Sequence, residues 1–188
     1  MAHVKVWFYD IGWVLAKVEL SRAFERFSAS SGKPVGELRD IFEKSGINHV
    51  YEEGKISSEE FHSRAAALMG LRMGFSEFAS AWCDVFTENK RETMRLARLK
   101  RYCRVFLLSN TNEMHYKFLN DFIPALRLAD GAALSCRLGC SKPGKEIYEA
   151  ALKLAGAAPD ECVFVDDMPA NVEGGRAAGI RSLLFNIR

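Results

Sequence analysis

Four places in the 188-residue chain carry side chains that would do chemistry if the fold brought them together: Asp10, Ser109, Lys142 and the pair Asp166-Asp167. Asp10, Asp166 and Asp167 are hard oxygen ligands, and their charges would repel one another unless something positive lay between them. Magnesium meets that need, because it takes a few carboxylates together with water and substrate phosphate. Ser109 and neighbouring backbone N–H groups are donors for phosphate oxygens. Lys142, within Ser141-Lys142-Pro143, adds a charge that offsets carboxylates and phosphate alike. A carboxylate facing a metal-bound phosphoryl group can attack it to form an aspartyl-phosphate, which water then hydrolyses.

The elements that must position these groups are legible as short apolar runs. Val4 to Tyr9 ends at Asp10, Arg104 to Leu108 ends at Ser109, and Cys162 to Val165 ends at Asp166. Ala132 to Ser135 and Ser182 to Phe185 complete five predicted strands. In open parallel sheets ligands bind just beyond the carboxyl ends of the strands, so the polar residues should converge there.

Helical patterns lie between the strands. Met114, Phe118, Leu119 and Phe122 recur at helical spacing, as do Ile147, Ala151, Leu154 and Ala155. A last helix runs from near Pro169 to near Gly179, with proline first and glycine last. Strands alternating with helices predict an α/β fold, a doubly wound parallel sheet covered on both faces.

The stretch from about Lys17 to Lys90 breaks the alternation. It shows no strand pattern and four helical ones, built on Leu20, Phe24 and Phe27; on Leu38, Ile41 and Phe42; on Phe61, Ala65 and Leu68; and on Phe78, Trp82, Val85 and Phe86. Ser57 and Glu60 form a capping box before the third. An all-helical block after the first strand reads as a small cap over residues 17–87. Residues 1–16 and 88–188 then form the core.

Composition bounds the rest. Hydrophobic residues are 48% and charged residues 27%, an ordinary globular balance. The net charge of +2 is too small to argue for nucleic acid or an anionic membrane. No uncharged apolar run approaches the ~18 residues of a membrane span, and the start has no signal-peptide pattern. Five cysteines, an odd number without a C-x-x-C pair, read as free thiols in a reducing cytoplasm rather than as a disulfide framework or zinc site.

Taken in order, the motifs Tyr9-Asp10-Ile11-Gly12-Trp13-Val14-Leu15, Leu107-Leu108-Ser109-Asn110-Thr111, Lys142-Pro143, and Phe164-Val165-Asp166-Asp167 with Asn171 resemble those of the haloacid dehalogenase superfamily of hydrolases with a helical cap. The segments Ser109-Asn110-Thr111-Asn112 and Glu53-Gly54-Lys55-Ile56-Ser57 further resemble its sugar-phosphate phosphatase branch, typified by α-D-glucose-1-phosphate phosphatase. The resemblance implies a Rossmann-like core, Mg2+ as cofactor and a small phosphorylated metabolite as substrate. It implies Asp10 as nucleophile and metal ligand, the Gly12 carbonyl as second ligand, and Asp166 with Asp167 completing the metal site. Ser109, helped by the Asn110 N–H, would bind the phosphate, and Lys142 would link nucleophile and phosphate.

One position departs from many phosphatases of that superfamily. The second aspartate, two residues after the nucleophile, protonates the leaving group and later activates water. Here that position is Gly12. General acid–base catalysis contributes typically ~10²–10⁴-fold, so the missing side chain matters. Candidates from the cap are His49, Glu52, Glu53 and His62. The departure keeps two rivals to a magnesium-dependent phosphatase open: a metal-independent 2-haloacid dehalogenase, and a catalytically weak relative that binds a phosphometabolite or a protein.

Several residues have plainer expected roles. Asn171 should brace its loop, His115 should lie on a helix surface, and Trp13 should narrow the site, stack on a ring or pack on the cap. The basic cluster Arg91, Arg95, Arg98, Lys100, Arg101 and Arg104 reads as a solvated helix face. The cap aromatics read as its own core. No histidine, His3 included, sits at metal-ligand spacing.

Overall fold

The computed structural model describes residues 4–186, so His3 lies outside the described residues. The chain opens with β1 (Val6–Tyr9) and a short β2 (Ala16–Val18). Five helices follow: α1 (Ser21–Ser31), α2 (Val35–Ser45), α3 (Ile47–Glu52), α4 (Ser58–Met69) and α5 (Phe75–Cys83). The chain returns through β3 (Phe86–Glu88), α6 (Lys90–Leu99), β4 (Arg104–Ser109), α7 (Glu113–Phe122), β5 (Gly131–Leu134) and α8 (Ser135–Leu138). It ends with α9 (Lys145–Ala155), β6 (Cys162–Asp166), α10 (Pro169–Ala177) and β7 (Arg181–Leu184).

Five strands form one parallel sheet in the order β5-β4-β1-β6-β7. Their residues alternate between two cores, as a two-residue period requires. Phe8, Phe106, Leu108 and Phe164 pack on one face with Ile147, Tyr148 and Ala151 of α9. Tyr9, Val105, Leu107, Val163 and Val165 pack on the other with Leu96 of α6 and Leu119 of α7. Helices on both faces make the sheet doubly wound, as expected from the alternating pattern.

The insertion differs from the four-helix expectation in two ways. It holds a fifth helix, α3, whose six residues are too few to show a period. It is also tied to the core by the antiparallel pair β2 and β3, three residues each, too short for an alternation to register. Asn89 locks this link, its amide donating to the Val14 carbonyl at 2.9 Å and its backbone N–H to the Leu15 carbonyl at 2.9 Å.

The insertion helices pack around Phe24, Phe27, Phe42, Phe61, Phe78 and Trp82, all buried. Phe27 stacks on Phe78 with ring centres 5.2 Å apart, and Tyr51 stacks on Phe61 at 4.3 Å. Ser57 caps α4 by accepting from the Glu60 N–H at 3.1 Å. Leu20, Leu68, Phe122 and Leu154, expected on buried faces, are exposed instead. Each lies at the margin of an apolar face, and helix periodicity alone does not say how far the partner surface extends.

Candidate active site

Strand register brings the distant motifs to one edge. Tyr9 pairs with Leu107 on one side and Val165 on the other, and the Asp10 N–H continues the ladder to the Val165 carbonyl at 3.0 Å. Asp10, Ser109 and Asp166 therefore leave three adjacent strands at the same level. All three are buried, as is Lys142.

Lys142 ties them together. Its ammonium donates to Asp166 Oδ2 at 2.6 Å and to the Leu108 carbonyl at 2.9 Å. It also lies 2.9 Å from Asp10 Oδ1. That last contact is a close ion pair off the hydrogen-bonding direction, so Asp10 Oδ1 is buried without a hydrogen-bond partner. The Lys142 backbone is clamped by Asn110, whose side chain accepts from the Lys142 N–H at 2.8 Å and donates to its carbonyl at 2.9 Å.

Asp166 is saturated. Its Oδ1 accepts from the Met168 N–H at 2.8 Å and from Asn171 at 3.0 Å, and its Oδ2 from Lys142 and, at 3.2 Å, from Asn171. Four contacts fill the roughly four lone-pair sites of a carboxylate. Asp167 is only partly buried and receives no such set of donors. The Gly12 carbonyl accepts from the Val14 N–H at 2.6 Å, and its second lone pair remains for another donor or a cation.

The residues present fit a divalent cation. Carboxylate oxygens of Asp10, Asp166 and Asp167 lie within 4.8 Å of one another. One ammonium faces three carboxylates. Burial pushes the Asp10 carboxyl above its ordinary range, against the pull of Lys142. Burial alone would lower Lys142, but Asp10 and Asp166 outweigh it and hold the ammonium above its ordinary range. Asp167 is pushed up to about 6 by burial and by its acidic neighbours. Three carboxylates against one ammonium leave the cluster with more negative charge than its single cation offsets.

One of the plainer expectations fails, that for His115. Trp13 adopts φ of 56° and lines a cleft of about 560 Å³ with Lys17 and Asn89 of the β2–β3 link, Arg91 and Arg95 of α6, and Leu183 of β7. Lys17 and Thr87, at the two ends of the insertion, both line that cleft, and no residue of α1–α5 does. The left-handed turn carries its side chain outward, a conformation that sequence patterning does not report. His115 is buried, not on a helix surface. Its Nε2 faces the Trp82 carbonyl at 2.9 Å and its Nδ1 faces the Asn112 amide at 3.1 Å. The covering surface comes from α5 and β3, which a reading of α7 alone does not include.

The basic cluster is for the most part the solvated face expected: Arg91, Arg95, Arg98, Arg101 and Arg104 are exposed, and Lys100 is partly buried and paired with Asp130. Arg95 lies over the Trp7 ring at 6.0 Å and Arg104 over Phe106 at 5.8 Å.

One structural node escaped the sequence reading. The Ser135 hydroxyl accepts from the Thr111 N–H at 2.9 Å and lies 2.6 Å from the Glu52 carbonyl of α3. It fastens the insertion to the sheet edge beside the site. Its only signal was a polar residue ending the run at Ala132 to Ser135.

Comparison with known proteins agrees with this geometry. Residues 48–179, more than half of the chain, match the haloacid dehalogenase-like hydrolase family. A D-ribitol-5-phosphate phosphatase of Bacteroides thetaiotaomicron is 29% identical over 181 residues, covering 93% of this chain and 88% of the relative. A phosphatase of Mycobacterium tuberculosis is 26% identical over 196 residues, covering 95% and 85%. A crystal structure of a family enzyme from B. thetaiotaomicron, in complex with magnesium and inorganic phosphate, superposes with a TM-score of 0.86 at 25% identity, covering 96% of this chain and 93% of that one. With the motif residues gathered at one sheet edge, the match makes this chain a member of the haloacid dehalogenase-like hydrolase family.

Proposed function

We propose that the chain is a magnesium-dependent phosphatase acting on a small phosphomonoester, a sugar or sugar-alcohol phosphate, through an aspartyl-phosphate on Asp10. The observation that carries this reading is the buried Lys142 shared between Asp10 and Asp166. It holds the Asp10 carboxylate in place while leaving Oδ1 without a hydrogen-bond partner. The relatives named as phosphatases, and the magnesium and phosphate held by the similar crystal structure, support it.

In this reading Asp10, the Gly12 carbonyl and Asp167 hold the cation. Asp166, within the same cluster, serves chiefly as the brace of Lys142, since its lone pairs are taken. Magnesium supplies the positive charge that lets an anionic carboxylate approach an anionic phosphoryl group. Asp10 attacks phosphorus, Ser109 and the Asn110 N–H hold phosphoryl oxygens, and the Lys142 ammonium offsets charge on nucleophile and phosphate.

Residues 17–87 act as the cap that closes over the leaving group, and residues 1–16 and 88–188 as the core. A metal-independent dehalogenase would leave three crowded carboxylates to repel an anionic acid, so the phosphatase reading is favoured. Among the described residues no helix is long and apolar enough to cross a membrane. A soluble metabolite met in the cytoplasm suits the free thiols.

The test is a panel of phosphorylated sugars and polyols, D-ribitol 5-phosphate included, assayed for inorganic phosphate in magnesium and in EDTA. Release from at least one member in magnesium alone is expected. No release from any member, or release that EDTA leaves untouched, overturns the reading.

A further inference from the structure

Gly12 leaves the site without the side chain that usually moves protons, so another group must do so if the site is to expel an alcohol. The four candidates on the insertion separate cleanly. His62 is turned into the insertion, its Nε2 3.1 Å from the Met73 carbonyl and its ring packed on Phe75 and Phe78. His49 is exposed and lies 3.5 Å from Glu53. Glu53 lies 2.5 Å from the Lys55 ammonium and accepts from the Ser141 hydroxyl at 3.3 Å. Those partners, Lys55 foremost, hold its carboxyl below the ordinary range, where it is a poor proton donor.

Glu52 differs from all three. It is the last residue of α3, partly buried, and among the described residues its carboxylate forms no ion pair. Its backbone is pinned to the sheet edge, with the carbonyl 2.6 Å from the Ser135 hydroxyl. Ser135 directly follows Leu134, which pairs with Ser109, so Glu52 is held beside the phosphate-binding end of β4. Two residues on, Gly54 has φ of 66°, and a Cβ there would lie 2.0 Å from the Cys136 carbonyl. Only glycine permits this approach of the α3 end to α8. On its other side, Glu53 contacts Ser141, the neighbour of Lys142.

We propose that Glu52 is the general acid and base of this enzyme, standing in for the side chain that Gly12 lacks; this rests on the phosphatase reading above. In the first step Asp10 bonds to phosphorus, the bond from phosphorus to the leaving oxygen breaks, and the Glu52 carboxyl gives its proton to that oxygen. In the second step the Glu52 carboxylate takes a proton from water as the water oxygen bonds to phosphorus. The Asp10–phosphorus bond breaks, phosphate leaves, and both carboxyl groups regain their starting states. The environment suits the role. Burial holds the Glu52 carboxyl above its ordinary range; Asp10 adds to that, and Asn48 and His49 oppose it. Cys136 faces it from α8. An acid for an alcohol leaving group needs a raised value of this kind.

The test compares the wild type with Glu52→Gln on phenyl phosphate and p-nitrophenyl phosphate in magnesium. Glutamine keeps the volume but carries no transferable proton. With phenyl phosphate, kcat should fall by ~10²–10⁴-fold. With p-nitrophenyl phosphate, whose leaving group departs without a proton, the first turnover should stay fast and the second slow. The variant should then release a burst of one nitrophenol per enzyme. Glu53→Gln should leave the leaving-group dependence as in the wild type. If Glu52→Gln lowers both substrates by one common factor without a burst, or leaves phenyl phosphate within about threefold, the assignment to Glu52 is overturned while the phosphatase reading stands. A wild type inactive on both substrates overturns the two together.

Discussion

Lys142 donates to Asp166 at 2.6 Å with both side chains buried, and this pair is the fixed part of the site. Asp166 is held by Met168 and Asn171, and Lys142 by the Leu108 carbonyl and the Asn110 clamp. Asp10 has the looser contact. As the proposed nucleophile, Asp10 can thus leave its lysine for phosphorus without dismantling the support behind it.

Removing that cation should cost both stability and activity. Lys142→Met leaves Asp10 and Asp166 facing each other unpaired, and breaking a buried pair by deleting one partner costs about 3–5 kcal/mol. Urea unfolding in EDTA should show a loss of that order, and magnesium should recover part of it. Phosphate release should fall to background. A variant as stable as the wild type in EDTA would mean that the carboxylates were not held apart by Lys142.

Asp10→Asn should separate stability from function in the opposite sense. The folded site raises the Asp10 carboxyl, burial being the main cause. A raised acid is a liability to the fold when charged, and the liability is present above its ordinary range and relieved as pH falls. A neutral amide removes it. The midpoint of thermal unfolding in EDTA should rise, the advantage should shrink in magnesium, and turnover of an aryl phosphate should vanish. Full activity in the variant would end the covalent mechanism.

Much of this site is legible in the sequence, for one reason. A parallel sheet converts sequence order into position, so a polar residue ending a buried run must stand at the same edge as its counterparts. Asp10, Ser109 and Asp166 are placed by that rule alone. Asn110 was read for its backbone N–H, and its side-chain clamp on Lys142 depends on the path of a loop 32 residues away, which no local pattern encodes. The difference in surroundings between Asp166 and Asp167 is equally hidden. Adjacent carboxylates look alike in sequence, and only the loop geometry gives Asp166 the donors of Asn171 and Lys142 and leaves Asp167 partly exposed. His115 is buried rather than on a helix surface because its surroundings come from elements far away along the chain.

Magnesium affinity should follow the titration of Asp167. Its carboxyl is pushed up to about 6 by burial, Asp10 and Asp166. Protons and the cation compete for the same oxygens, so affinity should be flat above that value. It should weaken about tenfold per pH unit as pH falls below it. Calorimetric titration with magnesium across this range measures the slope. Asp167→Asn should weaken binding throughout and remove the step near pH 6. An unchanged step would place the titrating ligand elsewhere.

Acid should loosen the joint between insertion and core at His115. Asn112 caps α7 by accepting from the His115 N–H at 2.9 Å, which fixes its amide and leaves its nitrogen facing Nδ1 at 3.1 Å. Nδ1 must then accept, and Nε2 must donate to the Trp82 carbonyl at 2.9 Å, so the ring is held neutral. It stacks on Trp82 at 4.9 Å and meets the edge of Phe86 at 4.8 Å. Burial lowers its pKa from 6.5 to about 4, with the Trp82 hydrogen bond opposing. The depressed value means that the unfolded chain takes up a proton first. The stability is complete above 6.5 and drains away as pH falls toward 4. At about 1.4 kcal/mol per pKa unit, the loss amounts to about 3 kcal/mol. Urea unfolding at intervals between pH 7 and pH 4 should show this slope on top of the carboxylate titrations. His115→Gln should flatten the curve by that amount while lowering stability at pH 7. If the variant loses stability in parallel with the wild type down to pH 4, the proton is being taken up by some other group.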